Sequence, residues 1–189
     1  MLLFQEIWSL KVDWDNSLPD KIKSKFVKWY TNLKILSNLK LPRRIGFGNR
    51  RSWSLHIFCD ASQQAYATVI FLRCEYNGKI YVRFVASKSR VAPLKLVTIP
   101  CLELMACILG AWLSNYVSEA LSLDDCAKYF WSDSTTALFW IKRNDQWGKF
   151  VGNRVKEICT LTNASQWSYV SGHSNPADLP SRGCFYLQL

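Results

Sequence analysis

The sequence predicts an α/β domain on a five-stranded mixed sheet, three antiparallel strands then β-α-β units, flanked by helices and preceded by a helical N-terminal extension. Three observations lead there. Short β-branched and aromatic runs separated by turn residues fill residues 55–86. A long apolar stretch at helical spacing follows, and strand-like and helical patterns then alternate to about residue 170.

The extension, residues 1–50, contains Trp8, Leu10 and Trp14 before Pro19-Asp20, a suitable helix start. Ile22, Phe26, Trp29, Leu33 and Leu36 then recur at three- and four-residue steps, while Lys21, Lys23, Lys25, Lys28 and Lys34 lie mostly on other faces. This pattern predicts a basic solvated face opposite a core face. Pro42-Arg43-Arg44 through Arg50-Arg51, with Gly46 and Gly48, breaks the period and reads as a linker.

The domain, residues 51–189, opens with a strand at Leu55–Asp60, then a polar turn and a second strand at Ala65–Leu72. Asn77-Gly78 is a strong hairpin signal leading to a third strand at Ile80–Ala86. Ile99-Pro100 suits a helix start, and Leu102–Val117 continues at helical spacing without another proline. A strand at Lys128–Trp131, helices at Thr135–Lys142 and Phe150–Leu161, and a strand at Gln166–Val170 complete the order; Gly172–Pro176 turns the chain into a short terminal segment.

At 189 residues with 49% hydrophobic content, the chain has material for one core plus the extension, which excludes a multidomain machine and wholesale disorder. The net charge of +10 favours a polyanionic partner, nucleic acid ahead of an anionic membrane. Ten Lys and Arg against four acids give residues 1–50 a net +6, and fourteen against ten give the remainder +4. The seven cysteines form no Cys-x-x-Cys and mostly sit in apolar runs, so neither a disulfide framework nor a zinc site is expected, but reduced, buried thiols in an intracellular protein. No uninterrupted apolar run reaches membrane-spanning length, and residues 1–10 lack the features of a signal peptide; a soluble, non-secreted chain is expected.

The few acids of the domain are placed informatively. Asp60 ends the first strand and Asp133 the fourth, where open α/β sheets gather ligands. Glu103 is expected in the first turn of the long helix, and Asp178 follows the last turn. Singly, each suits a cap or a helix dipole. Jointly, the topology brings them to one sheet edge, where carboxylates repel unless a cation sits among them, and hard oxygen donors suit Mg²⁺.

Phe58-Cys59-Asp60-Ala61-Ser62 with Ala65-Tyr66-Ala67, Ser87-Lys88-Ser89-Arg90-Val91-Ala92-Pro93, Thr98-Ile99-Pro100 with Leu102-Glu103-Leu104, Trp131-Ser132-Asp133-Ser134, Asn153-Arg154-Val155, and the run from Gly172-His173 through Asn175-Pro176-Ala177-Asp178 to Ser181-Arg182-Gly183 occur in an order that carries a resemblance. The chain resembles the ribonuclease H domain of retroelement polymerases, in particular the BEL/Pao class of long-terminal-repeat retrotransposons. The resemblance covers residues 53–183, and residues 1–45 resemble the segment that follows the reverse transcriptase in such polyproteins. The polymerase's paired aspartates are not in this sequence, so no polymerase activity carries over, and a Pol polyprotein fragment or genomic remnant is expected.

The resemblance implies a ribonuclease H-like fold and Mg²⁺-dependent hydrolysis of the RNA strand of an RNA–DNA hybrid, by two ions about 3.5–4 Å apart, with Mn²⁺ an alternative. It implies that Asp60 bridges both ions, that Asp178 helps hold the water-side ion, and that Glu103 and Asp133 hold the ion at the leaving oxygen. His173 matches a mobile loop histidine that assists proton transfer or product release. Ser62, Ser134, Lys88, Arg90 and Arg154 are the expected nucleic-acid contacts, and the reverse transcriptase portion of the same polyprotein is the expected protein partner, with no membrane. A cytoplasmic (virus-like particle) or nuclear location goes with this. Two other readings remain. One is an aspartic-peptidase-like region, suggested by Asp60-Ala-Ser and Asp133-Ser-Thr, although both lack the glycine of the peptidase motif and that fold is almost all β. The other is a decayed, non-catalytic nucleic-acid-binding remnant.

Overall fold

Asn77 and Gly78 adopt φ of 51° and 69°, the pair of positive angles that a tight two-residue hairpin turn needs and that asparagine and glycine tolerate best. In the computed structural model, which describes residues 2–38, 40, 42–143 and 145–183, this turn joins two long strands. The sheet contains β1 (Ser54–Ala61), β2 (Ala65–Tyr76), β3 (Lys79–Val91), β4 (Ala127–Ser132) and β5 (Trp167–Tyr169) in the order β3-β2-β1-β4-β5. β1–β2 and β2–β3 are antiparallel; β1–β4 and β4–β5 are parallel.

The helices of this unit are α3 (Ile99–Leu121), α4 (Thr135–Lys142), α5 (Lys149–Leu161) and α6 (Asp178–Arg182). Pro100 lies in the first turn of α3, where its missing N–H costs nothing. α3 packs on the sheet through Gly110: a Cβ there would lie 2.6 Å from Cys59 Sγ and 3.1 Å from Ile57 Cγ2. Hydrogen in place of a side chain therefore allows the helix backbone this close to β1. α3 is long and apolar enough to cross a membrane, yet most of it is buried in the domain, as a core helix is. Leu55, Ile57, Ile70, Leu72, Leu104 and Ile158 are fully buried, and Phe130 on β4 stacks on Trp167 of β5 with centroids 4.6 Å apart.

The chain divides into two units, residues up to Arg43 and Arg44–Gly183. In the first, α1 is Leu2–Ser9 and α2 is Asp20–Asn32, continued by a 3-10 segment at Leu33–Asn38. α2 starts directly after Pro19, as its sequence predicts. Glu6 of α1 and Lys25 of α2 form an ion pair at 2.8 Å. The expected core face is not buried along most of its length: Ile22 is, whereas Phe26, Trp29 and Leu36 are about half exposed. Helical periodicity arranges these side chains on one stripe but cannot supply the surface that covers it.

Other differences from expectation have local causes. β2 and β3 run past Leu72 and Ala86 because each continues to satisfy the other's backbone groups out to Tyr76 and Val91, across a bulge at Ile70/Phe71. Glu103 lies one turn into α3, because that helix begins at Ile99. Cys59, Cys74 and Cys107 are buried free thiols, Cys101 and Cys126 are half-buried, and Cys159 is exposed on α5; Cys184 lies outside the described residues.

Candidate active site

The parallel pairing of β1 with β4 brings two strand ends together. Cys59 lies opposite Ser132, so Asp60, still within β1 and paired with Ala67 of β2, comes beside Asp133, the first residue past the end of β4. Asp60 is buried, and its carboxylate accepts a hydrogen bond from the Ser181 hydroxyl of α6. Burial raises the Asp60 pKa to about 6; the Ser181 bond opposes the rise, and the nearby charges of Asp133 and Asp178 add to it. Glu103 is half-buried, and its Oε2 accepts from the Ser134 hydroxyl at 2.5 Å. Burial raises its pKa also, against the Ser134 bond and with help from Asp133. Ser134 in turn is the N-cap of α4, accepting from the Ala137 N–H at 3.0 Å.

Asp133 and Asp178 complete the group. Asp133 Oδ1 accepts from the Asn175 amide at 3.4 Å, and Asp178 pairs with Arg182 one helical turn on, at 2.5 Å. Gly172 lies beside the other Asp133 oxygen: a Cβ at Gly172 would be 3.0 Å from Oδ2, so the glycine leaves that oxygen open. All four acids thus share one end of the sheet and interact electrostatically, Asp133 being common to Asp60 and Glu103.

The four carboxylates fit a divalent cation chemically: hard oxygen donors, mutual repulsion that a cation relieves, and an Asp133 oxygen that a side chain at Gly172 would crowd. The convergence is partial, because among the described residues no three His, Cys, Asp or Glu side chains are gathered closely enough to hold a metal ion as they stand. Each carboxylate instead has a protein donor: Ser181, Ser134, Asn175 or Arg182.

Of the remaining expected site residues, Ser134 and His173 lie next to this group and Lys88, Arg90 and Arg154 do not contact it. His173 is exposed in a 3-10 turn, Gly172–Ser174, of the loop that leads to Asp178. Lys88 and Arg90 are exposed on the edge strand β3, but Asp60 aligns across the sheet with Ala67 and Ser89, so strand alternation puts both cations on the opposite face from Asp60. Arg90 lies 5.8 Å from the Trp112 ring of α3 on that side. Arg154 of α5 is held at 3.5 Å over the Phe150 ring and donates to Met105 Sδ. The hydroxyls of Ser62 and Ser134, expected at the substrate, serve the protein: Ser62 donates to the Ser181 carbonyl at 2.7 Å and accepts from Gln64 and Ala65 N–H groups, while Ser134 holds Glu103. Sequence reasoning assigned no role to Ser181, Asn175 or Gly172. The Asn175-Pro176 pair does mark a turn, but the carboxylates that Asn175 and Ser181 meet are 42 and 121 positions away along the chain.

Residues 1–134 match the family described as the Pao retrotransposon-like RNaseH-like domain, a span that includes Asp60, Glu103 and Asp133 and ends before His173 and Asp178. No curated protein matches. Among solved structures, similarity is found to the N-terminal RNase H domain of rv2228c from Mycobacterium tuberculosis, at 15% identity and TM-score 0.45, covering 66% of this chain and 86% of that one. LC11-RNase H1, isolated from compost, is similar at 12% identity and TM-score 0.44 over 68% of this chain and 91% of that one. The foamy viral protease-reverse transcriptase dRH in complex with double-stranded DNA is similar at 10% identity and TM-score 0.41, over 93% of this chain and 31% of that one.

Proposed function

The chain belongs to the Pao retrotransposon-like RNaseH-like domain family, and from that premise we propose that it is a divalent-metal-dependent endonuclease hydrolysing the RNA strand of RNA–DNA hybrids within a retrotransposon Pol polyprotein. The observation that carries the reading is the placement of Asp60 and Asp133 at adjacent parallel strand ends, with Glu103 and Asp178 beside them. Asp60, Glu103, Asp133 and Asp178 are the residues that would hold Mg²⁺ or Mn²⁺. When bound, such ions lower the pKa of water and stabilise charge on a leaving oxygen.

The chain's own groups have separable tasks. Ser134 and Ser181 orient Glu103 and Asp60, and both hydroxyls favour the charged carboxylate that a cation needs. Burial raises the Asp60 pKa to about 6 in the absence of a cation, so protons compete with the cation for this carboxylate, and the Mg²⁺ concentration needed for activity is expected to rise as the pH falls through 6. His173, exposed on its loop, is available for proton transfer at the site's edge. Lys88 and Arg90 are exposed on the face of β3 away from Asp60, so any nucleic-acid backbone they meet lies away from the carboxylates; the reverse transcriptase portion is the proposed protein partner, in a cytoplasmic particle or the nucleus. The peptidase reading loses support from the topology: a 23-residue helix and a parallel strand pair lie between and beside the two aspartates, in place of an almost all-β fold.

The test is a labelled RNA–DNA hybrid incubated with the chain and Mg²⁺, in parallel with Asp60→Asn. Cleavage by the wild type alone, abolished by EDTA, is expected. Cleavage by both proteins, or by neither, rejects the proposed site.

A further inference from the structure

The loop between β5 and α6 is tied down by one buried side chain. Asn175 is 4% exposed, and its carboxamide meets three separate parts of the fold. Nδ2 donates to the Cys59 carbonyl at 3.0 Å and to Asp133 Oδ1 at 3.4 Å, while Oδ1 accepts the Ala177 N–H at 3.1 Å. The backbone adds to this: Asn175 N–H donates to the Gly172 carbonyl, and Asp178 N–H donates to the Asn175 carbonyl. One amide therefore connects the residue before Asp60, the carboxylate of Asp133 and the turn that starts α6 at Asp178. A carboxamide suits this position because its NH₂ serves two acceptors while its oxygen accepts from a donor; a carboxylate would face both acceptors with lone pairs.

We infer that Asn175 is the positioning residue of the candidate cation site: it fixes Asp133 by Oδ1 so that Oδ2, left open by Gly172, is presented toward the ion, and it sets the place of Asp178 relative to Asp60. This rests on the metal-dependent nuclease reading. Asn175 touches neither substrate nor ion and acts only through the carboxylates. Outer partners of metal ligands are typically worth 10–100-fold in metal affinity.

Asn175→Ser separates this role from simple support of the loop, because serine keeps an oxygen for the Ala177 N–H but cannot reach Cys59 and Asp133. With the full chain, Mn²⁺ binding is measured by titration calorimetry, hybrid cleavage as a function of Mg²⁺ concentration, and folding by thermal melting. At least tenfold weaker Mn²⁺ binding and a matching rise in the Mg²⁺ needed for half-maximal cleavage are expected, with kcat at saturating Mg²⁺ largely recovered. Wild-type Mn²⁺ affinity in Asn175→Ser overturns the inference and leaves the nuclease reading standing. A wild-type chain that neither binds Mn²⁺ nor cleaves removes that reading and the inference with it. If the serine variant does not fold, Gly172→Ala crowds the same Asp133 oxygen from the exposed side; unchanged Mn²⁺ affinity there equally overturns the inference.

Discussion

Asp60→Asn is expected to make the chain more stable at pH 8 and to leave its stability almost unchanged at pH 4. In the folded chain Asp60 keeps its proton up to about pH 6, against an ordinary value of 3.8, chiefly because it is buried. Between those values the folded state binds more protons than the unfolded state, so the carboxylate's contribution makes stability fall as pH rises through this window. The difference of about two pH units corresponds to roughly 3 kcal/mol as an upper bound. Solvent screening at the site's mouth reduces it to about 1–2 kcal/mol. Asparagine has the same shape, accepts the Ser181 hydroxyl as the carboxylate does, and carries no charge to desolvate or to repel Asp133 and Asp178. The assay is urea unfolding of both proteins in EDTA at pH 4 and pH 8. A gain above pH 6 of about 1–2 kcal/mol, or about 3–7 °C in Tm, is expected, vanishing toward pH 4. Destabilisation by Asp60→Asn at pH 8, or an equal gain at both pH values, would refute the assignment of a strained, ionised Asp60.

Two further substitutions probe the same region. Ser134→Ala removes an N-cap and the partner of Glu103, so α4 should lose about 1 kcal/mol of stability by thermal melting. The acid limb of hybrid cleavage should move to higher pH as Glu103 loses the bond that favours its charged form, and an unshifted limb would count against that link. Gly110→Ala should cost about 1–3 kcal/mol in urea unfolding, since its Cβ would press on Cys59 Sγ, Ile57 and Thr68; a neutral result would mean that α3 can move off β1 freely.

Much of the architecture was legible from residue order. The Asn77-Gly78 turn, the proline at the start of α3 and the alternating strand patterns are short-range signals, and α4 begins and ends where its sequence predicts, at Thr135 and Lys142. Strand ends were less legible, because β2 and β3 extend as far as each offers the other a hydrogen-bonding partner. α1 has no cap or breaker to announce it, and the stripe on α2 reads as a core face although Phe26 and Trp29 stay about half exposed. Cys159 likewise follows an apolar residue yet faces outward, since a helix turns consecutive positions about 100° apart.

The acids Asp60, Glu103, Asp133 and Asp178 were picked out from sequence only jointly, by their placement at strand ends, in an apolar helix and after the last strand, since singly each suits a cap or a helix dipole. Their partners were not. Ser181, Asn175 and Gly172 are small, common residues whose meaning lies in what they meet: Asp60 across 121 positions, Asp133 across 42, and the open side of that same carboxylate. Local conformational preference and hydrophobic periodicity are carried by neighbouring residues, so the order of strands and helices follows from sequence alone. Hydrogen bonds and desolvation depend on distance in space, so the protonation of Asp60, the orientation of Asp133 and the burial of Asn175 were decided only when the parallel β1–β4 pair and the loop before α6 came together.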